Sequence, residues 1–364
     1  MPHRPTLAKS YWTLPLMVLL LLVVAILSLH VGVHPISLWQ LSEILSDPTS
    51  VEYTILMQLR LPRIINAISI GGGLSLCGAI LQGLFRNPLV EPYTLGISGG
   101  ASLGVTLAIV LGLSSAFLTL PAFGFIGALV TILLVYANSY QRHGLSVQRM
   151  LLVGVMVSFM ASSGVMLLLS VARAEQLSRI IFWTMGSLQE SKSFIVWGIL
   201  LFTLLLLGVS YLFVQSLNAL RLGELKAQQL GIDTRRVVLW LFVLSSLLTS
   251  ACVSVAGVIG FVGLVIPQAT RILLGNDYRV LLVGSFVNGG IFLILCDMLA
   301  RTILSPIELP IGVITGLIGG VAFLYLIHRT RRSHQLCPVS RSYVPSSSSV
   351  AMGANRSSGP STSP

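Results

Sequence analysis

The chain has 364 residues, 54% of them hydrophobic and only 9% charged, with 22 Lys and Arg against 11 Asp and Glu and a formal net charge of +11. At a mean hydropathy of +0.91 it carries too little charge to coat a water-soluble surface, and it reads as an integral membrane protein. Its apolar runs are long and lack period-two alternation, which argues for helices rather than a barrel.

The first run, residues 11–31, is long and has no small-residue cleavage site before Pro35, so it reads as a span rather than a removed signal. Further runs lie near 64–84, 94–113, 117–137, 150–171, 194–215, 237–256, 258–267, 280–300 and 309–328, ten in all, an even number that puts both termini on one side. The run at 258–267 is too short to cross ~30 Å of hydrocarbon as a straight helix. Such an element is tolerated only where protein or a water-filled path covers it. The expected fold is therefore an all-α polytopic membrane domain over residues 1–332. Beyond Arg332 the composition turns to Ser, Pro and Gly, and residues 333–364 are expected to be a disordered cytoplasmic tail.

Charge orients the spans. With the N-terminus inside, sixteen of the 22 basic residues fall in inner segments and six (Arg60, Arg63, Arg173, Arg179, Lys192 and Arg301) in outer ones, which favours cytoplasmic N- and C-termini. Basic loops beside anionic lipid account for the net charge without nucleic acid. Cys77, Cys252, Cys296 and Cys337 are scattered with no CxxC spacing, which argues against a disulfide or metal framework. His30 and His34 flank a helix end and read as interfacial.

Residues 86–100, Arg-Asn-Pro-Leu-Val-Glu-Pro-Tyr-Thr-Leu-Gly-Ile-Ser-Gly-Gly, interrupt this apolar pattern. Pro88 and Pro92 forbid an ordinary helix, and Gly96, Gly99 and Gly100 permit close backbone approach where the next one starts. No Gly-Lys-Ser/Thr follows, so this is not a P-loop. With Leu81-Gln82-Gly83 upstream, the stretch resembles the signature of the FecCD-type ABC permeases, which serve bacterial importers of iron chelates, haem and cobalamin. The resemblance extends from about Leu59 to Ile327. It includes Arg60-Leu61-Pro62-Arg63, Trp183-Thr184-Met185-Gly186-Ser187, Leu222-Gly223-Glu224 with Ala227 and Leu230-Gly231, Gly257 to Pro267 with Arg271 and Gly275, Asp297 with Arg301, and Glu308 to Val313. The chain departs from the family at Gln268, where a histidine is usual, at Val321, where a proline is usual, and in the tail after the last helix. Gln268 keeps hydrogen-bonding capacity but cannot protonate near neutral pH.

The resemblance implies a cobalamin-importer-like permease fold of about ten helices in the bacterial cytoplasmic membrane. It implies a second permease subunit, identical or closely related, two ATP-binding subunits, and a periplasmic or lipid-anchored substrate-binding protein. No cofactor is expected on this chain, and ATP would be used by its partners. Arg60, Arg63 and Arg301 would receive acidic residues of the binding protein, as the bidentate fork of a guanidinium suits carboxylates. Their alternative role is interfacial anchoring or pairing with Asp297 and Glu308, and Asp297 stands four residues before Arg301 on one helix face. Leu222, Gly223, Glu224, Ala227, Leu230 and Gly231 would form the helix that couples to the ATPase. As a mere solvated linker, that segment would leave its leucines without a partner. Ser146 and Val147 resemble the cytoplasmic gate. Gly154, Ser158 and Ser162, at i, i+4 and i+8, line either the translocation path or a helix-packing seam, and Gly96, Gly100 and Gly104 repeat that spacing as a seam.

Transport would run by alternating access driven by ATPase closure. The chain itself shows no nucleotide motif and no catalytic constellation, so it is not expected to be an enzyme. An ion-gradient-driven secondary transporter is the alternative, but it would usually place an ionisable group near the bilayer centre, whereas the acids here lie at helix ends. A membrane-embedded enzyme would need clustered His, Asp or Cys, and none is seen.

Overall fold

Pro62 and the apolar residues around it set the central element. A computed structural model describes residues 7–32, 46–113, 118–141, 144–145, 147–189, 192–305 and 307–335, and these are mostly helical. After α1 (Leu7–His30), α2 runs over Val51–Leu84. Its turns widen to π-type at Ile55–Arg60, directly before Pro62, where the ring excludes an ordinary helical bond. From Ile64 to Leu84 almost every side chain of α2 is buried, the mark of a helix packed on all sides.

There follow α3 (Ile97–Val110), α4 (Thr119–Ser139), a two-residue antiparallel ribbon of β1 (Tyr140–Gln141) and β2 (Gly144–Leu145), α5 (Val147–Val171) and α6 (Ala174–Thr184). Next come α7 (Ser193–Tyr211), α8 (Val214–Leu220), α9 (Glu224–Gln229), α10 (Thr234–Ala256), α11 (Val262–Leu274), α12 (Tyr278–Thr302) and α13 (Ile311–Gln335). Among the described residues, seven helices are long and apolar enough to cross a membrane, and α3, α11 and the apolar part of α13 (Ile311–Leu326) bring the apolar helices to ten. Each of the ten overlaps one of the ten apolar runs, α11 only over residues 262–267. The first compact unit comprises Met1–Leu326. Of the remainder, residues 327–335 are helical, so the last helix passes three residues beyond Arg332, and the rest of the expected tail lies outside the described residues.

Two elements differ from the sequence reading. The short run at 258–267 is not one helix: Gly257 (φ 71°) and Phe261 (φ 67°) hold the chain out of helical geometry until Val262, and α11 then continues to Leu274. α6 lies between the fifth and sixth runs and was not expected, because its Ala-Glu-Gln-Leu-Ser-Arg start breaks the apolar pattern; it buries Ile180 and leaves Phe182 exposed.

Close backbone contacts hold the centre. A Cβ on Gly71 would lie 2.3 Å from the Gly289 carbonyl oxygen, and one on Gly289 2.2 Å from that of Gly71, so α2 and α12 touch main chain to main chain. One on Gly78 would lie 1.8 Å from the Gly263 oxygen of α11. Inside a membrane, where lipid competes with apolar side chains, small residues are what let helices approach closely. Gly100 and Gly104 do the same for α3 against Thr131 and Phe123 of α4, the expected seam. Ser245, Thr249 and Ser250 of α10 return their hydroxyl protons to carbonyls one turn back, so these three buried hydroxyls are satisfied within the helix.

Candidate functional site

The residues singled out from the sequence gather at two opposite ends of α2 and along α5. At the first end, Arg60 and Arg63 open the α-helical part of α2 and Arg301 closes α12. Arg63 grips Glu308 with both forks, Nη1 donating to Oε1 at 3.1 Å and Nη2 to Oε2 at 2.6 Å, while Gln189 Nε2 donates to Oε2 at 2.7 Å. The Arg63 hydrogen bonds hold the Glu308 carboxyl below its usual range, with partial burial opposing. Arg301 Nε meets Asp297 Oδ2 at 2.9 Å, its Nη1 donates to the Val31 carbonyl at 3.2 Å and its Nη2 to Ser28 Oγ at 2.9 Å. Arg60 is 6% exposed and donates to the Leu29 carbonyl. Arg60 thus satisfies a carbonyl in the last turn of α1, which no helical N–H can reach, and Arg301 one just beyond it. Two adjoining cavities of about 240 and 190 Å³ share Arg63, Arg301 and Glu308. All three arginines line the second of these cavities, but they are more buried than an open docking face would have them, Arg60 most of all.

The Trp183–Ser187 motif fixes the floor of this end. Ser187 N–H donates to the Ala256 carbonyl at 2.8 Å and Gly312 N–H to that of Met185 at 3.0 Å, tying α6, α10 and α13 together.

At the other end, α8 and α9 form the expected short helical pair. Gly223 (φ 114°) and Gly231 (φ 80°) bracket α9 in backbone conformations that favour glycine. Leu222, Leu225 and Leu230 are 60%, 76% and 64% exposed, Glu224 is exposed, and Ala227 is fully buried. The leucines form an apolar surface with no partner among the described residues.

Beside α9 lies a polar network that sequence reasoning missed. Pro267 has no N–H for the Gly263 carbonyl four residues back, and Gln82 Nε2 donates to it instead at 3.2 Å and to that of Leu264 at 3.2 Å. Gln82 Oε1 in turn accepts from Gln268 Nε2 at 2.9 Å and Arg271 Nη1 at 2.8 Å. Gln268 also donates to the Pro88 carbonyl at 3.2 Å, so this departure from the family pattern locks the 86–100 loop to α11. Further along that loop, the Tyr93 hydroxyl donates to the Ile259 carbonyl at 2.9 Å and accepts from its N–H at 3.0 Å.

Along α5, Gly154 faces the turn before α3, where a Cβ would lie 2.8 Å from Leu95 Cα, and Ser158 donates to the Gly154 carbonyl at 3.0 Å. Within one chain these two residues serve as a packing seam. Val147 is half-buried and Ser162 exposed; Ser146 lies outside the described residues. α13 runs through Val321 without interruption. Among the described residues no cluster of three or more His, Cys, Asp or Glu could hold a metal ion.

Comparison with known proteins bears on the family and the fold. The FecCD transport family matches residues 20–329. The chain is 37% identical to the hemin transport system permease protein HmuU of Yersinia pestis, covering 86% of this chain and 95% of that one. It is 36% identical to the vitamin B12 import system permease protein BtuC of Vibrio vulnificus, over 90% and 97% of the two chains. A solved metal-chelate type ABC transporter in an inward-facing conformation superimposes with a TM-score of 0.80 at 34% identity, covering 87% of this chain and 99% of that one. ATP hydrolysis in such an importer belongs to partner subunits, in keeping with the lack of a nucleotide motif here. The chain belongs to the FecCD transport family and is a multi-pass permease subunit of an ABC importer.

Proposed function

We propose that this permease carries a metal chelate of the iron-siderophore, haem or cobalamin type into the cytoplasm, pairing with a second permease subunit across the exposed faces of α5 and α13. The observation that supports it most is the family match over nearly the whole membrane domain, including relatives named for haemin and vitamin B12. In this reading the membrane is the bacterial cytoplasmic one and both termini are cytoplasmic. The end bearing Arg60, Arg63 and Arg301 faces outward and docks a substrate-binding protein, periplasmic or lipid-anchored. The α8–α9 end seats one of two ATPase subunits, and Val147, Gly154, Ser158 and Ser162, with Ser146 before them, border the path and its inner gate. The test is uptake of haemin, cyanocobalamin and a ferric hydroxamate into vesicles with ATP enclosed. Uptake of none of the three, with the assembled transporter still hydrolysing ATP, would overturn the metal-chelate assignment.

Leu225 is exposed, so Leu225→Asp leaves the fold intact and removes the centre of the apolar surface. Co-purification of the ATPase subunit should fall several-fold, and Glu224→Arg should act in the same direction. Unchanged co-purification and substrate-stimulated hydrolysis would remove α9 from the coupling role.

Arg63→Glu should weaken docking of the binding protein and lower uptake. The Arg63–Glu308 pair is partly exposed, its side chains 14% and 37% accessible, so its loss costs the fold only about 1 kcal/mol. The swap Arg63→Glu with Glu308→Arg restores the internal pair and still displaces the docking charge. Uptake that stays low in the swap supports docking; full recovery assigns Arg63 to the internal pair alone.

A further inference from the structure

Three arginines from separate segments converge on one open cavity of about 320 Å³ beside α9: Arg86 after α2, Arg221 after α8 and Arg271 in the last turn of α11. Arg271 is anchored by Gln82 Oε1 and lies 3.4 Å from the Tyr278 hydroxyl, and Arg221 donates to the Asn276 carbonyl. Arg86 is exposed, and its backbone is held at φ 49°, a left-handed conformation uncommon for such a residue. Among the described residues, no ion pair involves any of the three. No carboxylate lines the cavity: Asp277, between its lining residues Asn276 and Tyr278, accepts from Asn218 Nδ2 and the Arg279 N–H instead. The three like charges repel one another, and the hydrogen bonds above hold two of them in place regardless. The start of α9 adjoins this cavity: a Cβ on Gly223, the residue before α9, would lie 3.8 Å from Arg86 Nη1. A protein seated on Leu222 and Leu225 therefore comes next to Arg86.

We propose that the Arg86–Arg221–Arg271 cavity receives a carboxylate side chain of the ATPase subunit docked on α9. This rests on the assignment of α9 as the ATPase seat. The leucines supply apolar contact area, and the cavity supplies register and partner choice, because planar guanidinium forks bind carboxylate with fixed geometry and reject a basic side chain. The polar network of Gln82, Gln268 and Arg271 then links the bound carboxylate to α11 and to the 86–100 loop, so partner movement is passed to both.

The test measures binding of the purified cognate ATPase subunit to the permease in phosphatidylcholine nanodiscs at low salt. Arg86→Glu combined with Arg221→Glu should weaken binding by roughly tenfold or more, about 1.4 kcal/mol per decade. Arg86→Gln, which removes only an exposed guanidinium, should weaken it a few-fold, and Arg86→Lys should retain most of it. Reversing the partner carboxylate to arginine should restore binding to the double variant in part. If the Arg86→Glu, Arg221→Glu double variant and Arg86→Gln bind as wild type while Leu225→Asp does not, the cavity proposal falls and the α9 seat stands. If Leu225→Asp also binds as wild type, both fall. Loss of co-purified phosphatidylglycerol with unchanged ATPase affinity would make the cavity a lipid-phosphate site and overturn the proposal.

Discussion

Gly78→Leu should abolish stable insertion, and Gly78→Ala should already lower the melting temperature and membrane yield of the purified permease. The Cβ at this position would lie 1.8 Å from the Gly263 carbonyl oxygen, 2.5 Å from its carbon and 2.7 Å from its Cα, all backbone atoms that no rotamer change can move aside. Replacing helical glycine by alanine gains about 1 kcal/mol in propensity. Overpacking costs typically 1–3 kcal/mol and more where backbone must shift, so the clash wins. The displaced element is also the one whose Gly263 carbonyl depends on Gln82, so separating α2 from α11 strips that acceptor of its donor. Gly208 of α7 is the control. A Cβ there meets nothing within 4 Å, and Gly208→Ala should be neutral or slightly stabilising. Melting of the detergent-solubilised variants decides it: equal stability of Gly78→Ala and Gly208→Ala would mean that α2 and α11 are not in backbone contact.

That contact shows where the sequence was legible and where it was not. The ten apolar helices could be read directly, because length and apolarity are properties of a single segment. Pro88, Pro92 and Gly96 likewise announced the break between α2 and α3, and Gly223 and Gly231 the limits of α9. The partnership of Gln82 with the carbonyl freed by Pro267 spans 181 residues and depends on how two helices cross, which no local pattern encodes. α6 escaped notice because amphipathic helices lack a long apolar run. The inside–outside bias singled out Arg60, Arg63 and Arg301 as exceptions, yet charge counting cannot distinguish a guanidinium facing water from one turned back on α1. A usable signal for the basic cavity was present in Arg86, Arg221 and Arg271, which each sit beside a helix-ending glycine, proline or turn, but their convergence needed the fold.

Arg301→Met should destabilise the permease far more than Arg63→Glu, although both residues belong to the same charged end. Asp297 and Arg301 are each 7% exposed, one helical turn apart on α12, at 2.9 Å. Removing the guanidinium leaves a buried carboxylate without its main counter-charge and withdraws donors from the Val31 carbonyl and Ser28 Oγ. Breaking one side of a buried pair costs about 3–5 kcal/mol, whereas replacing both partners by apolar groups of similar volume is often near neutral. The double variant Asp297→Leu with Arg301→Met should therefore recover much of the stability lost by Arg301→Met alone. It also separates the two roles open to Arg301. A stable double variant with normal binding-protein affinity and uptake would confine Arg301 to holding α12 against α1. A stable double variant with weakened docking would place its charge in the recognition surface together with Arg63. No recovery in the double variant would mean that the bonds to α1, rather than the ion pair, dominate at this position.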